Sequence, residues 1–283
     1  MLEDFLIGNY TDQKHKTGVT VLLAPEGATG GVSVRGGAPA THETELFRAE
    51  NTVEKVNAVL LSGGSACGLE AVSGAMKYLY EKGKGYDAGG FRVPICAGAS
   101  IYDLECGSFA YPTKEDGYAA CLAAKPLEEI GGAIGGGTGA TVAKMGGMAS
   151  AFPSGMAVAM GRKGEIEMAV VTVVNALGNV YDPVTGAPLC ETLPKEGAAC
   201  FSNTTISCIL TNALLTKAQA NKLSDVTQDA YAKCIRPVHT LYDGDTVFTL
   251  ASGRVKADLL TLQMLADELT CKAILHAVRS SND

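Results

Sequence analysis

Along the first third of the chain, short apolar runs alternate with turn residues. Gly18 to Ala24, Gly31 to Val34 and Val56 to Leu61 are predicted to be strands. The period then changes. Leu69, Val72, Met76 and Leu79 recur at helical spacing between Ser65 and Lys82, and Gly83 follows as a stop. Val93 to Cys96 reads as another strand, leading into Ala99-Ser100-Ile101-Tyr102-Asp103, and Asp116 to Ala124 as a short Ala-rich helix. Met156 to Met160 and Glu165 to Asn175 are strand-like and rich in Val, Ala and Met. From Asp182 to Ser202 the pattern has no period and carries Pro183, Pro188 and Pro194. Irregular stretches of that length inside compact domains are usually functional or mobile.

Regular patterning resumes at Thr204. Thr204 to Thr211 is predicted to be a strand, and Thr216-Lys217-Ala218-Gln219 is a capping-box start for a helix running to about Cys234. Thr246 to Ala251 reads as a strand, and Val255 to His276 as a helix with Leu259, Leu262, Leu265 and Leu269 on one side. Strands cluster and the longest helices flank them, so the expected class is α+β, with helices layered around sheets. No linker separates two cores, and residues 1–283 are expected to form one domain.

Composition narrows the partners. Of 283 residues, 47% are hydrophobic and 19% charged, enough for a sizeable core. A formal net charge of −7 with scattered Lys and Arg argues against nucleic acid or an anionic membrane as partner. Met1-Leu2-Glu3-Asp4 lacks the order of a signal peptide. Ile166 to Val174, among the most apolar runs, is short and interrupted by Glu167 and Thr172, so a cytoplasmic protein is expected. Nine cysteines without a CxxC pair read as reduced core thiols, and His15, His42, His239 and His276 offer no metal-ligand spacing. No metal or cofactor is expected.

Glycine is the outlier: 34 residues, about 12% against about 7% in ordinary usage, concentrated at turns and in Gly131 to Gly139. Gly135-Gly136-Gly137-Thr138-Gly139-Ala140 fits the loose dinucleotide pattern. It lacks the confirming strand before and helix after, so tight turns or close backbone packing are the better reading. Ser62-Gly63-Gly64-Ser65-Ala66-Cys67-Gly68 resembles a nucleophile elbow, but Cys67 stands where the second glycine belongs. A serine-capped helix start explains Ser65 more simply than a nucleophile at Ser65 or Cys67. His239 reads as a structural histidine, because no serine or cysteine partner signature accompanies it.

Ser202-Asn203-Thr204-Thr205-Ile206-Ser207 heads an apolar run after the irregular stretch. A threonine hydroxyl becomes a useful nucleophile when the threonine is an N-terminus and its own α-amine is the base. Further on, Asp243-Gly244-Asp245 is locally a turn, yet carboxylates at i and i+2 can project together and hold such a threonine.

Together these segments resemble the DmpA-type family of N-terminal-nucleophile hydrolases, which comprises L-aminopeptidase D-esterase/amidases, β-peptidyl aminopeptidases and the nylon-oligomer hydrolase. The matching text is Leu61 to Ser65 with Leu69-Glu70-Ala71, Ile101-Tyr102-Asp103, Gly137 to Lys144, Val173-Val174-Asn175, Asn203-Thr204-Thr205-Ile206 with Thr211-Asn212, and His239-Thr240 with Asp243 to Thr246. The resemblance implies an αββα sandwich, made as a precursor and cut between Asn203 and Thr204 into an α-chain of residues 1–203 and a β-chain of residues 204–283. By carry-over Thr204 is the nucleophile, Asp243 and Asp245 orient and activate it, Asn175 is the oxyanion donor, and Lys144 and Tyr102 line the site. The implied substrates are small amides or short peptides with a free amino end, and the implied assembly is a tetramer of αβ pairs. Two other readings stay open: an acyltransferase that passes the acyl group to an amine, and an uncut binding protein of the same fold.

Overall fold

The structure, a computed structural model, describes residues 2–195 and 203–282. Its main elements in chain order are β1 (Leu6–Asp12), β2 (Thr17–Val34), β3 (Lys55–Ser62), α1 (Ala71–Glu81), β4 (Cys96–Ser100), α2 (Lys114–Leu122), β5 (Met156–Lys163), β6 (Ile166–Asn175), β7 (Thr204–Ala213), α3 (Lys217–Cys234), β8 (Thr246–Val255) and α4 (Leu259–Arg279). The strands hydrogen-bond in the order β4-β3-β2-β8-β7-β6-β5. The β3–β4 and β7–β8 pairs are parallel and the other pairs antiparallel.

One long strand joins the two halves. Residues 17–23 of β2 pair with β1 and β3, and residues 29–34 pair with β8. Between them the register breaks at Leu23/Ala28, where Gly27 adopts φ +80°, a left-handed conformation that favours glycine. The runs Gly18–Ala24 and Gly31–Val34, expected as two strands, are therefore the arms of one bent strand.

The period-2 alternation of each strand sends successive side chains into different cores. Val19, Val21, Leu60 and Ala58 meet Val72 and Leu79 of α1 and Ala120 of α2. Leu22, Val59 and Leu61 face inward against Val171, Ile206, Leu210 and Phe248 of the other half. Val170, Ile209 and Val247 point outward to Leu223 and Tyr231 of α3 and Leu262 and Ile274 of α4. The result is helix, sheet, sheet, helix: an α+β fold of the αββα type.

Local departures from the expected elements have local causes. The helix expected from Ser65 starts as a 3-10 turn at Ser65–Glu70, and α1 proper begins at Ala71. Ser65 is not its cap. Gly64 holds that position at φ +81° with no side-chain capping bond, and the Gly64 N–H is taken instead by Asp103 Oδ1 at 2.7 Å. The strand expected over Val93–Cys96 is broken by Pro94, which has no N–H to donate, into Arg92–Val93 and β4. The last helix starts at Leu259 behind an Asp258 cap rather than at Val255, which still belongs to β8. The capping box at Thr216 and Gln219 forms as expected. Within the irregular stretch, Pro188–Cys190 pairs with Asn179–Tyr181; residues 196–202, with Ser202 and Cys200, lie outside the described residues.

The glycine cluster packs backbone on backbone. An added Cβ would lie 2.3 Å from the Leu61 carbonyl oxygen at Gly136, 2.2 Å from the Met156 nitrogen at Gly137 and 2.0 Å from the Lys16 carbonyl oxygen at Gly139. Gly136→Ala is therefore expected to lower the unfolding free energy by about 1–3 kcal/mol, the usual cost of overpacking. Denaturant titration checks this, and an unchanged midpoint would contradict the packing account.

Candidate active site

The antiparallel β6–β7 ladder ends with Asn175 directly opposite Thr204. On the other side of β7 runs β8, in parallel, with Ile206 beside Thr246. The residues before each strand continue alongside one another, so Asn203 forms a parallel bridge with Asp243. The sequence-selected residues from three distant segments thus meet at the start of β7. They are shielded, as is Lys144, whereas Tyr102 is half-buried: Thr204 is 4% exposed, Asp243 2%, Asp245 1%, Lys144 1% and Asn175 0%.

The carbonyl of Asn203 sits at the centre. It accepts a hydrogen bond from the Gly244 N–H at 3.0 Å, and the Thr204 hydroxyl donates to the same oxygen. Gly244 can only be small. A Cβ there would stand 2.7 Å from Thr204 Oγ1 and 3.0 Å from the Ala38 carbonyl oxygen. Sequence reasoning weighed the two aspartates and passed over the glycine between them. The signal available was its position, between carboxylates in a turn that must lie against another backbone.

The aspartates flank this contact without touching the hydroxyl. Asp245 Oδ1 accepts from the Thr205 N–H at 2.7 Å, and Oδ2 accepts from the backbone N–H of His239 at 3.1 Å and pairs with His239 Nδ1 at 2.8 Å. Asp243 Oδ2 accepts from the Thr240 N–H at 2.7 Å. Burial raises the Asp243 carboxyl above its ordinary range, and the neighbouring Asp245 charge adds to the rise, against the Thr240 hydrogen bonds. In the intact chain the two carboxylates therefore brace the turn and the second residue of β7 rather than the Thr204 side chain.

On the opposite side, Asn175 Oδ1 accepts from Lys144 Nζ at 2.7 Å and from the Thr141 N–H at 3.1 Å. Both partners can only donate, which fixes the amide orientation and turns Nδ2 to the Tyr102 carbonyl at 3.0 Å. Lys144 Nζ also reaches the Asn175 backbone carbonyl at 3.3 Å. Tyr102 enters the site through this carbonyl, while its hydroxyl donates to Glu105 at 3.3 Å. Burial, followed by the Glu105 charge, raises the Tyr102 phenol. Thr141 and His239 join the site beyond the residues selected from sequence. Among the described residues no group of three or more His, Cys, Asp or Glu could hold a metal ion, and no helix is long and apolar enough to cross a membrane.

The sequence matches Peptidase family S58 over residues 3–282. The chain belongs to peptidase family S58. It is a hydrolase acting on amide or peptide bonds. Its S58 relatives include an uncharacterized aminopeptidase of Mycobacterium leprae, 41% identical over 85% of this chain and 72% of the relative. A 6-aminohexanoate-oligomer endohydrolase of Kocuria sp. is 29% identical over 96% of this chain and 83% of its own. Among solved structures, the L-aminopeptidase D-Ala-esterase/amidase of Ochrobactrum anthropi superposes with a TM-score of 0.77 at 15% identity, over 99% of this chain and 85% of that one. Its fold is described as a variant of the Ntn-hydrolase fold, and the same layered arrangement holds here.

Behind Tyr102 the S58 chain buries a further carboxyl. Asp103 is 2% exposed, and burial pushes its pKa up to about 6 against the Gly64 hydrogen bond and the Lys144 charge. A carboxyl whose folded value exceeds its unfolded one favours the fold below the ordinary 3.8, and that contribution is lost as pH rises through about 6. Asp103→Asn keeps an acceptor for Gly64 and removes the charge. It is expected to be more stable than the wild type at pH 8, by an amount on the order of 2–3 kcal/mol, and to match it near pH 4. Denaturant titrations at the two pH values check this; a variant less stable than wild type at pH 8 would contradict it.

Proposed function

We propose that this S58 chain is an autoprocessed amidohydrolase or aminopeptidase whose nucleophile is Thr204, freed by cleavage of the Asn203–Thr204 bond. The observation that carries the reading is the Asn203 carbonyl, approached by the Thr204 hydroxyl while its oxygen accepts the Gly244 N–H at 3.0 Å. A hydrogen bond at that oxygen favours charge there, which is what attack on the carbonyl carbon produces.

Before cleavage the Thr204 nitrogen is an amide and cannot act as base. The hydroxyl adds to the Asn203 carbonyl carbon, and its proton passes through water to Asp245, while Lys144 stays a donor to Asn175. Collapse breaks the C–N bond, the nitrogen takes a proton to become the α-amine, and Asn203 is left as an ester on Oγ1. Water hydrolyses that ester. The free α-amine, with an ordinary pKa of about 7.7–8.0, can then take the hydroxyl proton near neutral pH. Thr204 attacks the substrate amide, the amine product leaves, and water releases the acyl group. Gly244 N–H and Asn175 Nδ2 serve as oxyanion donors. Removal of the Asn175 amide is expected to lower kcat by about 10²–10³-fold. Small amides and short peptides with a free amino end are the proposed substrates, in keeping with the aminopeptidase and oligomer-hydrolase names of the relatives.

Amino-terminal sequencing of the purified protein tests the reading. The wild type is expected to give a fragment beginning at Thr204, and Thr204→Ala to remain a single inactive species of 29.2 kDa. An active wild type that stays whole, or a Thr204→Ala variant that is cut and active, would overturn it.

A further inference from the structure

We infer that His239 is a positioning residue of this site: its ring holds the Asp245 carboxylate so that Asp245 in turn holds the start of β7. The inference rests on the proposed role of the Thr204 region, and it concerns a residue that neither carries the nucleophile nor touches the scissile carbonyl.

Asp245 is 1% exposed, and its hydrogen bonds divide unevenly. Oδ1 meets the Thr205 N–H at 2.7 Å, and among the described residues Oδ2 is held by His239, through the backbone N–H at 3.1 Å and ring Nδ1 at 2.8 Å. A carboxylate accepts and cannot donate, so the tautomer that fits carries its proton on Nδ1. The ring is held from behind. It stacks on Tyr231 at a centroid distance of 6.1 Å and an interplanar angle of 29°. Tyr231 is itself tied to β7, its hydroxyl 2.6 Å from Ser207 Oγ, which is 2.8 Å from Thr172 Oγ1 of β6.

These contacts close a loop that begins and ends on the nucleophile strand: Ser207, Tyr231, His239, Asp245, Thr205. Its purpose is clearest after cleavage. Thr204 then loses its covalent tether on one side, and the Asp245–Thr205 bond is the anchor next in line. His239 also adopts φ +54°, a left-handed conformation uncommon for a side chain of its size. The backbone is bent so that both its N–H and Nδ1 reach the same carboxylate oxygen.

The test compares replacements that this backbone tolerates. His239→Gly accepts positive φ and removes the ring; His239→Asn also tolerates positive φ and places an N–H donor where Nδ1 stood; His239→Gln sends its donor outward, toward Gln228. With an amino acid p-nitroanilide as probe, His239→Gly is expected to lose about 10–100-fold in kcat, the factor one charge-assisted hydrogen bond supplies, with KM within about 3-fold. His239→Asn is expected to recover most of that loss and His239→Gln little of it, and added imidazole to raise the activity of His239→Gly. Equal activity of the Asn and Gln variants would overturn the inference, as would a Gly variant within about 2-fold of wild type. If His239→Gly does not fold, the Asn-against-Gln comparison still decides. Thr204→Ala in the same assay separates the two claims: activity there would remove the threonine reading, whereas the order of the His239 variants tests the positioning role.

Discussion

The rest of the site depends on the side-by-side approach of two chain segments, Asn203–Thr204 before β7 and Asp243–Gly244–Asp245 before β8. Parallel strands cannot be joined by a tight turn and need a long crossover, which α3 supplies here. Because β7 and β8 run in the same direction and in register, the residues leading into both arrive at the same end of the sheet. The Gly244 N–H then finds the Asn203 carbonyl at 3.0 Å, and any side chain at Gly244 would collide with the Thr204 hydroxyl. On its other edge β7 meets β6 in antiparallel register, which brings Asn175 opposite Thr204. A single strand start thus has a peptide N–H on one side and a side-chain amide on the other.

Burial gives this arrangement its electrostatic character. Asp103, Asp243 and Asp245 are all 2% exposed or less, and Lys144 1%. Carboxylates in such surroundings must be held by donors or shift toward the neutral form. Asp245 is held by the Thr205 and His239 N–H groups together with the His239 ring, and burial displaces the Asp103 and Asp243 carboxyls upward. Partners that can only donate or only accept also fix the orientation of a side-chain amide. Asn175 illustrates this: Lys144 and the Thr141 N–H can only donate to Oδ1, so Nδ2 must face the Tyr102 carbonyl.

Much of this was legible in the sequence, and the exceptions are instructive. The strands of alternating or continuous apolar character and the Thr216 capping box are local signals, and they appear where expected. The layer order followed from the resemblance rather than from periodicity, since the bend that joins the two halves of β2 is a matter of tertiary pairing. Pro94 and Gly64 shifted boundaries through backbone effects that a window of hydropathy does not contain. At the site, Thr204, Asn203, Asp243, Asp245, Asn175, Lys144 and Tyr102 could be selected by motif and are brought together. The aspartates, however, grip Thr205 and Thr240 rather than the Thr204 hydroxyl. The Gly244 N–H and the His239 ring nitrogen meet partners that only the fold reveals.

The central claim is that Thr204 carries the acyl group during turnover. Acid quenching of the enzyme while it consumes a slow amide substrate, followed by peptide mass mapping, addresses it directly. The account predicts that the peptide beginning with Thr204 gains the mass of the substrate's acyl group. An acyl group found instead on another side chain, such as the exposed Cys67 thiol, would contradict it.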